Sequence, residues 1–353
     1  MDKRSQNFLY KLLETPSPTG FEQEIQKVVR AHMKDVADTM ETDLHGNLIV
    51  GLNPKAKRRV MLAGHCDQIG LMVKHIDKDG FLWSSALGGI DVGVLIGAQV
   101  TVHTKKGPIN GIVGRKPIHL QNGEERSKMS LDLENVWIDI GSKNQKESEK
   151  RVEIGDPVTF KLGVLELGNQ MICAPGLDDK AGLYIAMEAL RLCAKAKLAV
   201  GVYAVSTVQE EVGLRGARTA AFSVDPEVGI AIDVTHSSDN PGAGSGKSTP
   251  CKLGKGPTIA RGPNFNPVVG EMLVAAAKKA KIPYQPATAA GPLGNDANAI
   301  QVSRGGVAAS AIGIPNRYMH TQVEVCSLDD LDNSAKLLAA FIKSIKPTTD
   351  FRP

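Results

Sequence analysis

The sequence predicts an α/β protein with a mixed central sheet flanked by helices on both faces and interrupted by an inserted all-β, barrel-like domain. Three observations lead there. Apolar runs of strand length alternate with amphipathic helical segments at both ends of the chain, the pattern of a sheet covered on two sides. Between residues 69 and 165 helical periodicity disappears, and alternating runs are punctuated by the turn signals Asp79-Gly80, Lys106-Gly107-Pro108 and Gly155-Asp156-Pro157. Finally, 353 residues with 42% hydrophobic content can bury a substantial core. The expected division is residues 1–68 and 166–353 in one α/β domain, with 69–165 as the insertion.

Taken in order, Phe8, Leu9, Leu12 and Leu13 fall at helical spacing within residues 4–14. After the break at Pro16, Pro18 and Gly20, the residues Ile25, Val28, Val29, Met33 and Val36 repeat the pattern. Strand candidates follow at 47–52 and 59–64. The second, Arg59-Val-Met-Leu-Ala-Gly64, is a continuous apolar run ending on His65-Cys-Asp67, as a buried parallel strand delivering a polar tip would. Within the insertion, Gln99–Thr104 and Asn135–Ile140 alternate as strands do. Beyond Gly176, a helix from about Asp179 carries Leu183, Ala186, Met187 and Leu190 on one face. It is followed by a strand at 201–208, a short helix near 214–222 and the strand Val228–Ile232. A helix near 267–280, a short one near 295–302, the strand Val307–Ile314 and a closing helix from Leu328 to Ile345 complete the alternation.

Composition narrows the partners. The net charge of +4 is small for this length, and the basic clusters Lys55 to Arg59 and Lys195 to Lys197 carry no interleaved aromatics, which suits solvated faces and not a nucleic-acid groove. Five cysteines, an odd number without CxxC spacing, point to buried thiols in a reducing compartment. No apolar run approaches membrane-spanning length, and the first residues lead into an amphipathic segment instead of an apolar one. The expectation is a cytoplasmic protein without nucleic-acid or membrane partners.

The most informative stretch is Val202–Ala217, an apolar strand that runs into the adjacent carboxylates Glu210 and Glu211 and then a glycine-rich turn. Two carboxylates side by side repel, and a site that keeps both charged usually offers them cations. In open α/β sheets, functional groups gather beyond the carboxyl ends of strands. Four groups occupy such positions: His65 with Asp67, Glu210 with Glu211, Asp233, and His320; Asp178 and Asp179 open a helix. Each has a plainer reading. Asp178 and Asp179 suit an N-cap and first turn, Glu210 and Glu211 a solvated corner, Asp233 a turn, and His236 rivals His320 as a ligand. In extended chain, Asp67 shares a face with His65, where a carboxylate can accept the spare imidazole N–H. Together, two histidines and several carboxylates make the mixed nitrogen and oxygen donor set of a zinc, cobalt or manganese site, and their number suits two ions better than one.

At this point the sequence resembles the tetrahedral aminopeptidases and glutamyl aminopeptidases, a family of dinuclear metallopeptidases. The resemblance rests on Ala63-Gly-His-Cys-Asp-Gln-Ile-Gly70, Ala174-Pro-Gly-Leu-Asp-Asp-Lys-Ala-Gly182, Gln209-Glu-Glu-Val-Gly-Leu-Arg-Gly-Ala217, Ile232-Asp-Val-Thr-His236 and Pro315-Asn-Arg-Tyr-Met-His-Thr321, in family order. It implies a phosphorylase/peptidase-like fold and two divalent metal ions per subunit, zinc first, with cobalt or manganese as alternatives. It further implies that Asp178 bridges the ions, that His65 and Asp233 complete one site and Glu211 and His320 the other, that Glu210 is the general base, and that Asp67 supports His65. A non-proline cis peptide between Asp178 and Asp179 is also implied. One departure is Gly294-Asn-Asp-Ala297, where many relatives carry threonine in place of Asn295, beside the substrate pocket.

The activity implied is removal of N-terminal residues from short peptides. Arg317, Arg215 or Arg304 would be the cations available to a carboxypeptidase; a deacetylase-like metallohydrolase is a further alternative. An endoglucanase, a label some family members carry, is disfavoured because only 4% of the chain is aromatic. A non-catalytic, metal-braced assembly or peptide-binding protein is a third alternative, against which the spare Glu210 argues. The insertion at 69–165 would serve dimerisation and assembly of a homo-oligomer, in relatives a tetrahedral dodecamer.

Overall fold

The computed structural model describes residues 1–123, 132–243 and 249–353. The helices Lys3–Glu14 and Gln23–Met33 precede the strands β1 (Thr39–Thr42), β2 (Leu48–Leu52) and β3 (Arg59–His65). The chain then enters a closed barrel of β4 (Gly70–Ile76), β5 (Leu82–Leu87), β6 (Gln99–Thr104), β7 (Gly107–Arg115), β8 (Val136–Asp139) and β9 (Pro157–Phe160). Its strands pair antiparallel in the order β4-β5-β8-β7-β6-β9 around a core that includes Leu71, Val73, Leu82, Val100, Val102, Ile138 and Phe160. The barrel-like β insertion expected from the turn signals is therefore observed, with strands from Gly70 to Phe160 and short helices at Val92–Leu95 and Gln145–Glu149 between them.

The returning chain forms β10 (Leu165–Glu166), β11 (Met171–Cys173), β12 (Gly201–Thr207), β13 (Val228–His236), β14 (Thr258–Arg261), β15 (Gln285–Thr288), β16 (Ala308–Asn316) and β17 (Val325–Ser327). The main sheet has the order β1-β2-β12-β3-β13-β16-β14-β15, and β10, β11 and β17 make a small separate sheet. Within the main sheet, β12, β3, β13 and β16 run parallel. Alternate residues of these strands face different layers. Val60 and Leu62 of β3 join the core under the helices Lys3–Glu14, Leu177–Cys193, Pro267–Ala280 and Leu328–Ser344. Met61 and Ala63 instead meet Ala217, Ala220 and Ile300 on the opposite side, from the helices Arg215–Val224 and Asp296–Ile300. Both faces are covered, which is why β3 reads as an unbroken apolar run.

Helix Leu177–Cys193 is the structural axis of this layer. Nearly every residue of it is buried, including the charged Asp178, Asp179, Lys180 and Glu188. Its regular turns begin only after Asp179, since Asp178 and Asp179 have non-helical backbone angles and the peptide bond between them is cis. A Cβ on Gly64 would collide with the backbone of Gly182 and Leu183, and one on Gly182 would collide with the Asp179 carboxylate and the Ile232 carbonyl. These two glycines let the helix press against the strand ends, carrying Asp178 and Asp179 to them.

Candidate metal centre

Because four parallel strands lie side by side, their carboxyl ends open on one edge of the sheet. There β3 ends on His65, β12 runs on to Glu210 and Glu211, β13 carries Asp233, and the segment after β16 carries His320. Donor atoms of His65, Asp178 and Asp233 lie within 4.8 Å of one another, and so do those of Asp178, Glu211 and His320. Asp178 belongs to both groups. Its Oδ1 is 3.2 Å from His65 Nε2, and its Oδ2 is 3.3 Å from His320 Nε2, so each oxygen faces one histidine. His320 Nε2 is also 3.6 Å from Glu211 Oε1. Glu210 stands just outside the groups, with Oε2 3.9 Å from His65 Nε2. His236 lines the same cleft but joins neither group.

The histidine tautomers follow from their other nitrogens. His320 Nδ1 is 2.6 Å from the carbonyl of Gly89, and His65 Nδ1 is 3.0 Å from the carbonyl of Asp67. A carbonyl can only accept, so each Nδ1 carries the proton and each Nε2 faces Asp178. Gly89 lies just beyond β5, so the β insertion contributes directly to the site. The support from Asp67 is mainly through its backbone: its carboxylate is 3.5 Å from His65 Nδ1, while accepting the N–H groups of Glu210 and Glu211 and the hydroxyl of Thr19. That carboxylate holds the glutamate pair in place.

The sequence reading missed Glu324. It is fully buried, and its two oxygens accept the N–H of Asp178 and the N–H of His320, each at 2.9 Å. One carboxylate thereby fixes the backbone of the residue shared by both groups and of a histidine in one of them. A lone acid inside the apolar stretch Val323-Glu-Val-Cys326 was the available signal. Asp179 acts similarly, accepting from the backbone N–H groups of His65 and Gly182.

The electrostatics fit cations. Burial, reinforced by Asp233, Asp296 and Glu211 over the pull of His65, pushes Glu210 up to about 10. Burial and the Asp178 charge, opposed by the histidines, raise Glu211 to about 7. Burial raises Asp233 and Asp179 well above the usual carboxylate range as well. Burial would also raise Asp178, but hydrogen bonds from His320 and His65 prevail and hold it well below that range. Hydrogen bonding to Asp178 carries His320 up to about 9 despite burial. A shared carboxylate flanked by two imidazoles and further acids is the donor chemistry of divalent metals, and the residues present fit such ions.

Parallel strand ends furnished with histidines and carboxylates, under a helix that delivers a shared aspartate, define a class: α/β proteins with a divalent-metal centre at the strand ends. The chain belongs to the M42 glutamyl aminopeptidase family, whose model matches residues 46–337. It is 40% identical over 345 residues to a lysyl aminopeptidase of Pyrococcus furiosus, spanning 97% of this chain and 98% of the relative. Among solved structures, it resembles a TET aminopeptidase from a marine sediment archaeon of the Thaumarchaeota, with 33% identity, 98% of each chain covered and a TM-score of 0.92. It also resembles the Pyrococcus horikoshii TET1 peptidase, described as assembling into a tetrahedron or a large octahedral shell, with 32% identity, 97% and 100% coverage and a TM-score of 0.84.

Proposed function

We propose that this chain is a dinuclear metalloaminopeptidase that removes single N-terminal residues from short peptides. The observation that carries the reading is the pair of donor groups sharing Asp178, with Glu210 beside them and outside both. His65 and Asp233 would hold one divalent ion, Glu211 and His320 the other, and Asp178 both; zinc leads, with cobalt and manganese as alternatives. Ions held there supply a more acidic water and a polarised scissile carbonyl. Glu210, left unliganded, takes the water proton and passes it to the leaving amine, a transfer that typically contributes about 10²–10⁴-fold. Glu324 and Asp67 keep the ligand backbones and the glutamate pair in register.

The choice of an amino-terminal substrate rests on charge. A carboxypeptidase needs a cation for the substrate carboxylate, yet among the described residues no lysine or arginine lines the cleft. Arg317 is paired with Asp239 at 2.7 Å, Arg304 lies over the Phe222 ring, and Arg215 is exposed beside Gln209. The acids of the cleft suit a free α-amine instead. Relatives that form shells support reading residues 69–165 as the assembly module of a homo-oligomer, which light scattering with and without chelator would test. For the activity, metal-loaded protein should shorten a free pentapeptide one residue at a time from its N-terminus and leave its N-acetylated form intact. Internal cleavage, or equal attack on the blocked peptide, would overturn the reading.

A further inference from the structure

We infer that the substrate side chain this enzyme selects is uncharged and predominantly apolar, and that the part of the cleft lining outside the donor groups is what selects it. The inference rests on the aminopeptidase reading above and names its substrate class. The cleft holds about 500 Å³, room for a side chain beside the reacting groups. Apart from the donor groups, Glu210 and three glycines, its described lining is Leu214, Val234, Thr235, His236, Asn295 and Met319. None of these is a carboxylate, a lysine or an arginine. A lysine side chain entering the cleft would find acids only within the metal-ligand cluster and at the general base, and a glutamate would find only His236. A charged side chain gains no ion partner from this half-exposed lining, whereas an aliphatic side chain buries apolar surface against Leu214, Val234 and Met319.

Asn295 is the pivotal residue of that lining. Its side-chain oxygen accepts the N–H of Ala297 as the cap of helix Asp296–Ile300, at 3.1 Å. Because Asn295 also lines the cleft, the cap there is neutral where an aspartate of similar size would add a charge. Aspartate caps helices as well as asparagine does, so Asn295→Asp retains the local fold while adding one negative charge to the lining.

The test is a panel of amino-acid p-nitroanilides on zinc-, cobalt- and manganese-loaded full-length protein. The leucine and methionine substrates should exceed the lysine and glutamate ones in kcat/KM by about tenfold or more. Asn295→Asp should raise lysine relative to leucine, and Met319→Lys should raise glutamate, each by about tenfold. Calorimetric titration with the hydroxamates of leucine, lysine and glutamate gives the same ranking without turnover. Highest rates and tightest binding with lysine or glutamate would overturn the inference, the glutamate outcome pointing to His236. Absence of release from every anilide, with hydroxamate affinities still favouring leucine, would instead count against the aminopeptidase reading.

Discussion

Helix Leu177–Cys193 carries buried carboxylates in two settings that contrast sharply. Toward its C-terminal end, Glu188 accepts from Ser5 Oγ at 2.6 Å, from His32 Nε2 at 2.9 Å and from Arg191 Nε at 2.9 Å. Burial works to raise Glu188, but these donors prevail and bring it below its ordinary value. At its start, Asp178 and Asp179 join Glu210, Glu211 and Asp233, and most of that group is pushed upward. The nearby Lys180 does not relieve it, because its ammonium is spent on the Thr15 carbonyl and the Gln68 side chain. A buried carboxylate supplied with protein donors completes a structure; a cluster left short of them awaits something else. One cluster is closed by the chain, and the other is left open for cations.

That contrast can be broken from either side. The largest effect is expected at the open cluster: Glu210→Gln should lower kcat by about 10²–10⁴-fold while metal content and melting temperature stay unchanged, and near wild-type turnover would remove Glu210 from its role. Glu324→Ala withdraws the acceptor shared by the Asp178 and His320 backbones, so metal affinity measured by calorimetry should weaken about 10–100-fold. At the closed cluster, Glu188→Ala should cost on the order of 2–3 kcal/mol in urea unfolding and leave metal binding intact, since Arg191 and His32 lose their acceptor.

The smallest effects, and the sharpest, are in pH. Glu188 has a folded pKa below its ordinary 4.5, so it contributes stability above that pH and loses it as pH falls through the folded value. Glu211 is raised from 4.5 to about 7, so in chelated protein its contribution is full below 4.5 and is lost as pH rises toward 7. Thermal melts of chelated wild type should therefore show the neutral-side loss, and melts with metal should not. Comparison with Glu188→Gln should isolate the acid-side loss. A chelated protein equally stable across the neutral range would remove the distinction between the clusters.

Much of the scaffold was legible because period and turn chemistry are local. The helices near 4–14, 267–280 and 328–345 and the strands at 47–52, 59–64 and 201–208 appear within a few residues of their expected places. The short strands β1, β14 and β15 went unread, since each has four residues and β15, at an edge of the sheet, contains Pro286, a residue that edge strands accommodate. Five candidate ligands were visible as polar residues following a strand or opening a helix, and the fold brings them together in two groups. The Gly89 carbonyl was not visible, because an imidazole oriented by a loop from the barrel leaves no periodic trace in sequence, and the only trace of Glu324 is a lone acid in an apolar stretch, which does not reveal the backbone N–H groups it holds.

The central claim is that the open cluster is finished by two divalent ions. Calorimetric titration of chelator-stripped protein with cobalt or zinc, checked by elemental analysis, tests it most directly. The account predicts two ions per chain, falling to one or none in His65→Ala and His320→Ala, with the melting temperature rising as the ions bind. Binding of one ion or none to wild type, or binding indifferent to both substitutions, would contradict it.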